Sequence, residues 1–191
     1  MLTKFMKKII SLPVLAHIAL AVITMSWFQW AKGKLDASYA ASLHPVDYLT
    51  GQTSFSGEMI KEYYATMSDA GTLKVYVTTQ LIDFGFILGF LGIGLFVCTL
   101  IARPNRLGSF GRNIGVLAGL AFVLGGLSDM IENVWSFVML ANPSTFADWL
   151  AIPYSTFAVL KFALITLGLG LSLASLLMAA VGRTLKKPNI G

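Results

Sequence analysis

Cysteine and charge are what this sequence has least of. Cys98 is the single cysteine in 191 residues. That excludes an intrachain disulfide framework, a multi-cysteine zinc or iron–sulfur site, and thiol–disulfide exchange by a cysteine pair. Charged residues make up 12% of the chain and hydrophobic residues 56%, whereas a soluble domain carries about 25% charged residues. With a mean hydropathy of +0.75, the composition excludes a disordered chain, a nucleic-acid-binding domain and an ordinary soluble globule. Gly-rich phosphate loops and serine–histidine–acid spacings are also missing, and Gly92-x-Gly94 sits in an apolar run, where it reads as packing.

Long apolar runs are what the chain does have. A spanning helix needs about 20 mostly apolar residues, and four stretches qualify, at about 9–30, 75–102, 114–141 and 152–181. Backbone polar groups have no partner in hydrocarbon, so such runs must be helical. The expected fold is all-α: one polytopic membrane domain, an antiparallel four-helix transmembrane bundle with a small helical outer loop at about 31–74. The basic start Lys4, Lys7 and Lys8 followed by an apolar run also describes a signal peptide. The length of the run, and the distance to the nearest small-residue site at Ala37–Ala40, favour retention as an anchor.

Charge sets the orientation. Lys4, Lys7, Lys8, Arg103, Arg106, Arg112, Arg183, Lys186 and Lys187 fall on one side with no acid among them. Asp36, Asp47, Glu58, Glu62, Asp69 and Asp148 fall on the other, with Lys32, Lys34, Lys61 and Lys74. Basic loops stay in the cytoplasm, so both termini are expected there, in a cell's inner (plasma) membrane. The +5 net charge is then a topology signal, and the expected partner is the lipid bilayer rather than nucleic acid.

In the outer loop, Thr50-Gly51 reads as a turn. Ser54 or Ser56 reads as an N-cap, with Glu58 in the first turn of a short helix that ends near Ala70-Gly71. Its Tyr63, Tyr64 and Met67 lie either on the membrane surface or over the bundle. The short, weakly basic segment favours the second. Trp27, Trp30, Trp149 and Tyr154 read as an interfacial aromatic belt. Gly85 and Gly89, and Gly111, Gly115 and Gly119, recur every four residues, a spacing that lets helices approach closely inside one bundle or across a dimer.

Five ionisable residues fall inside the spans: His17, Asp83, Asp129, Glu132 and Lys161. At 1.5 Å per residue all lie within roughly 12–18 Å of the expected outer ends of their helices. Asp129 and Glu132 share a face of span three, with Asn133 beside it, and Gln80 sits one turn before Asp83. A central Asp, Lys or Arg facing lipid costs about 2.5–3.5 kcal/mol. Four such groups would cost on the order of 10 kcal/mol, comparable to a whole domain's stability. They must therefore meet one another, water or a ligand. Three carboxylates against one ammonium leave a surplus, relieved if a carboxyl keeps its proton, if His17 becomes imidazolium, or if a cation binds.

These residues point to an intramembrane site that binds or transforms a small apolar or amine-bearing ligand. Asp129 and Glu132 are the candidate general acid or base, with Lys161 orienting them or stabilising negative charge. Asp83, His17, Asn133, Trp135, Tyr154 and Gln80 are the candidate ligand-binding residues. A metal site from His17, Asp83, Asp129 and Glu132 lacks a Glu-x-x-His pair on one helix, so no metal is assigned, and nothing identifies a cofactor. A through-path for ions is not expected, because 88–97, 116–124 and 165–177 offer no polar ladder. The alternative is a non-enzymatic accessory or assembly subunit of a larger membrane complex, with the charges as a structural network. A homodimer fits either reading.

Overall fold

The computed structural model describes residues 2–184, so Lys186 and Lys187 of the basic tail lie outside the described residues. Of the described residues 83% are helical, and no strand occurs among them. Four helical stretches are long and apolar enough to cross a membrane: Val14–Ala41, Leu73–Ala102, Phe110–Leu140 and Asp148–Gly182.

The first stretch differs from the expected 9–30 at both ends. A short helix α1 covers Leu2–Ile10, and α2 begins at Val14 and runs to Ala41. Pro13 explains the break, since it disfavours helical backbone at Leu12 and offers no N–H of its own. At the far end Ala31 and Leu35 are buried, while Lys32 pairs with Asp36 one turn on. Residues 31–41 are therefore amphipathic helix and not loop. The expected turn at Thr50-Gly51 lies instead inside a short helix, α3 (Tyr48–Gln52). Asp47 starts it, its carboxylate accepting from Thr50 N at 3.0 Å and Thr50 Oγ1 at 2.9 Å. Helix α4 (Gly57–Asp69) follows the sequence closely. Ser56 is its N-cap and accepts from Met59 N at 3.3 Å, and Gly71 takes the left-handed backbone (φ 72°) that turns the chain into the next helix.

The second long stretch is α5 (Leu73–Gly92), one π turn (Ile93–Val97) and α6 (Cys98–Ala102). Helix α7 spans Phe110–Leu140. A 3₁₀ turn at Asp148–Leu150 leads into α8 (Ala151–Thr184).

The chain forms two compact units. One comprises residues up to Ser26, Phe90–Leu124 and residues from Leu164 on; the other comprises Trp27–Gly89 and Gly125–Ala163. In the first unit the glycines bring backbones together. A Cβ on Gly119 would sit 2.4 Å from Gly94 O, and one on Gly115 would sit 2.6 Å from Ala102 Cβ. Met6, Ile10, Ala102 and Val116 pack beside them. The glycine spacing thus serves packing within the chain.

The second unit is built on Ile60, Tyr64, Met67, Tyr76, Met139, Phe146, Leu150 and Tyr154. Burying each large side chain contributes roughly 1.5–3 kcal/mol, so α4 lies over the helices of this unit with Tyr64 and Met67 inward. Tyr154 belongs to this core and is not part of an exposed belt, whereas Trp27, Trp30 and Trp149 stay exposed.

Candidate functional site

The polar centre lies wholly in the second unit and is anchored on α7. Asp129, Glu132 and Asn133 are all buried, Glu132 and Asn133 completely. Opposite them α8 supplies Lys161, only 5% exposed. Its ammonium lies 2.9 Å from Asp129 Oδ1 and 2.5 Å from Glu132 Oε2. It also donates to Gln52 Oε1 at 3.0 Å. These three oxygens surround the ammonium, two as hydrogen-bond acceptors and Glu132 Oε2 as its ion-pair partner. From α5, Asp83 accepts a 2.7 Å hydrogen bond from Asn133 Nδ2. The expected meeting of Asp83, Asp129, Glu132, Asn133 and Lys161 is thus present in one place.

Some oxygens there are not satisfied. Both oxygens of Glu132, Asn133 Oδ1 and Ser136 Oγ are buried without a hydrogen bond, although Glu132 Oε2 keeps its ion pair with Lys161; Tyr64 lies beside Ser136. Buried polar groups are normally paired, and one left open costs about 1–3 kcal/mol. The cluster is therefore both rich in carboxylates and rich in open acceptors.

Other candidates fall elsewhere. His17 does not join the carboxylates. It belongs to the first unit, where Nε2 lies 3.0 Å from Phe96 O and 3.1 Å from Thr99 Oγ1, and Arg103 Nη1 lies 3.3 Å from Nδ1. The sequence reading measured its depth from Trp30, but α2 continues to Ala41, which puts His17 roughly 36 Å below that helix end at 1.5 Å per residue. It is a fully buried histidine in the first turn of α2, fixed by helix-to-helix hydrogen bonds. Gln80 donates to Tyr76 Oη at 2.8 Å. Trp135 is partly buried and meets Trp149 edge to face, with centroids 6.4 Å apart. Gln80, Trp135 and Tyr154 thus bear on the core around the site and show no hydrogen bond to its charges. Among the described residues no three His, Cys, Asp or Glu side chains are grouped so as to hold a metal ion.

Compared with known protein families, curated proteins and solved structures, the chain matches none. The site is accordingly read from its own geometry.

Gln52 is the participant that sequence reasoning missed. A glutamine in a polar outer segment gives no signal of reaching a buried lysine. It does so because α3 is pinned at both ends. Asp47 caps its start, and past its end Phe55 N donates to Ser155 Oγ of α8 at 3.1 Å. Phe55 itself holds a left-handed backbone (φ 54°), which costs a non-glycine residue roughly 1–2 kcal/mol. Gly51 allows the close approach of His44, whose Cε1 would be 2.9 Å from an added Cβ. The His44 ring sits among Tyr39, Tyr63 and Tyr76, at centroid distances of 5.1, 5.2 and 5.3 Å. Burial there pulls its pKa below the ordinary 6.5, against the opposing effects of Val46 O and Asp47.

Proposed function

We propose that the protein is an antiparallel four-helix membrane bundle with both termini in the cytoplasm of a cell's plasma membrane. Its second unit holds an intramembrane site that binds or transforms a small apolar or amine-bearing ligand. Two observations support the membrane layout. The outward faces of the long helices are apolar, as at Leu15, Leu81 and Leu173, which is what a lipid-facing surface requires. Furthermore, Lys4, Lys7, Lys8, Arg103, Arg106 and Arg112 all belong to the first unit, while Asp36, Asp47, Glu58, Glu62, Asp69 and Asp148 all belong to the second. That segregation is the charge asymmetry of a protein with one cytoplasmic side.

The observation that carries the site is the mismatch around Lys161. A purely structural ion pair in a membrane would balance one ammonium with one carboxylate and close every hydrogen bond. Here two buried carboxyl groups share one ammonium, a third, Asp83, is bonded to the adjoining Asn133, and polar atoms on α7 remain open. Groups so expensive to bury are characteristic of functional positions in membrane helices. Lys161, paired with both, positions Asp129 and Glu132. The carboxyl groups are the ones able to exchange a proton with a bound molecule.

The test is chemical. Wild-type protein and the Glu132→Gln variant are purified in lipid nanodiscs, checked for equal folding by thermal melting, and their organic extracts compared by mass spectrometry. A small molecule retained by the wild type and lost from the variant is expected. Identical extracts from two folded proteins would overturn the ligand reading and leave the charges as the network of an accessory subunit.

A further inference from the structure

Hydrogen-bond polarity at the site narrows what it takes. We propose that the ligand presents a protonated primary or secondary amine to α7, carried on an apolar body; this rests on the ligand-site reading above.

Three observations converge. First, the open atoms are acceptors. Glu132 Oε1 and Asn133 Oδ1 have lone pairs and no proton to give when the carboxyl is ionised, and Ser136 Oγ can accept as well. In helical projection Ser136 falls about 40° from Glu132 and about 60° from Asn133, so the three occupy one face within about one turn. Second, the only cation of the cluster is already engaged and is not free to greet an anion. Lys161 donates to Asp129 and Gln52 and pairs with Glu132, and the Asn133 amide donates to Asp83. Third, the charge is one-sided. Asp83, Asp129 and Glu132 against Lys161 leave a formal surplus of two negative charges, which an ammonium halves and a carboxylate ligand enlarges.

The same inventory separates kinds of cation. A quaternary ammonium supplies charge but no N–H, and would leave the acceptors open. Aromatic cages are what usually hold such groups, and the open atoms here are oxygens. An alcohol supplies one proton and no charge. A primary or secondary ammonium supplies both.

The experiment uses the full chain in phosphatidylcholine nanodiscs and four amphiphiles sharing one ten-carbon tail: decylamine, decyltrimethylammonium, decanol and decanoate. Saturable binding is read by calorimetry, and non-specific partitioning is subtracted with Glu132→Gln. Decylamine is expected to bind at least tenfold more tightly than the other three, with that preference lost in Glu132→Gln. Ser136→Ala removes one oxygen and no charge, and is expected to weaken decylamine about threefold. It decides the matter should Glu132→Gln fail to fold, since unchanged affinity there would overturn the proposal. Decyltrimethylammonium, decanol or decanoate matching decylamine, with the same sensitivity to Glu132→Gln, would refute the amine while leaving a ligand site standing. If no amphiphile distinguishes wild type from a folded Glu132→Gln, the amine and the ligand site both fall.

Discussion

Lys161→Met removes the ammonium that pairs with two buried carboxylates, and its cost can be worked from the contacts. The wild-type Nζ serves Asp129 at 2.9 Å, Glu132 at 2.5 Å and Gln52 at 3.0 Å. Methionine fills the same space and offers no proton, so two buried carboxyl groups lose their counter-charge together. Removing one partner of a buried pair costs about 3–5 kcal/mol, most of it the penalty on the charge left behind. For a chain of this length that corresponds to a melting-point loss of roughly 6–20 °C. The decisive comparison is the triple variant Lys161→Met, Asp129→Asn, Glu132→Gln. It deletes the stranded charges, so most of the lost stability should return. Thermal melting in one nanodisc preparation reads all three proteins. A single variant within about 1 kcal/mol of wild type would mean that water already screens the ammonium, as at surface pairs. A triple variant no better than the single would mean that packing, not charge, explains the loss. Either result would refute the buried-network account.

Other consequences are simpler. Gly119→Val should destabilise by about 1–3 kcal/mol, because its Cβ meets Gly94 O at 2.4 Å, a backbone atom that cannot rotate aside; unfolding by denaturant measures it. The Lys61–Asp148 ion pair is solvent-exposed on its acidic side, so Lys61→Met should change stability by about 1 kcal/mol or less in the same assay. His44 is held neutral by burial among three tyrosines, with the Asp47 charge opposing that effect. Its folded pKa lies below its unfolded one, so its contribution is full above pH 6.5 and is lost as pH falls from there toward the folded value. Asp47 acts later in the same descent. Hydrogen bonds from Thr50 hold its pKa below 3.8, and its contribution disappears as pH falls through that lower value. Melting temperature measured from pH 7.5 to 5 should fall more steeply for the wild type than for His44→Phe; parallel curves would rule out the histidine.

The sequence disclosed the long helices because apolar length is a strong signal, and it disclosed the polar centre because a few charged side chains in long apolar helices are cheapest to bury when gathered together. Asp129 and Glu132 lie three residues apart, and that spacing already places them on one face. Two kinds of feature escaped. Helix ends depend on partners outside the window being read. Residues 31–41 look polar in isolation, yet Ala31 and Leu35 find burial and keep α2 winding. That extension is why His17 was expected beside the carboxylates and lies instead against Thr99. Long-range polar contacts from irregular segments escaped as well. Gln52 reaches Lys161 across a sequence separation of 109 residues, and no local pattern in Gly51-Gln52-Thr53 announces it.

The π turn at Ile93–Val97 has a consequence for anyone altering this helix. It carries one more residue than an α-helical turn closing the same gap. Winding the same residues as plain α-helix, with none removed, would swing all that follows by about 100°. Thr99 would leave His17, and Cys98 would leave Ser172, now 3.6 Å away. The stretch is a phase adjuster. A one-residue deletion within it should be far better tolerated than one elsewhere in the helix, which would throw the downstream helix out of step with its neighbours.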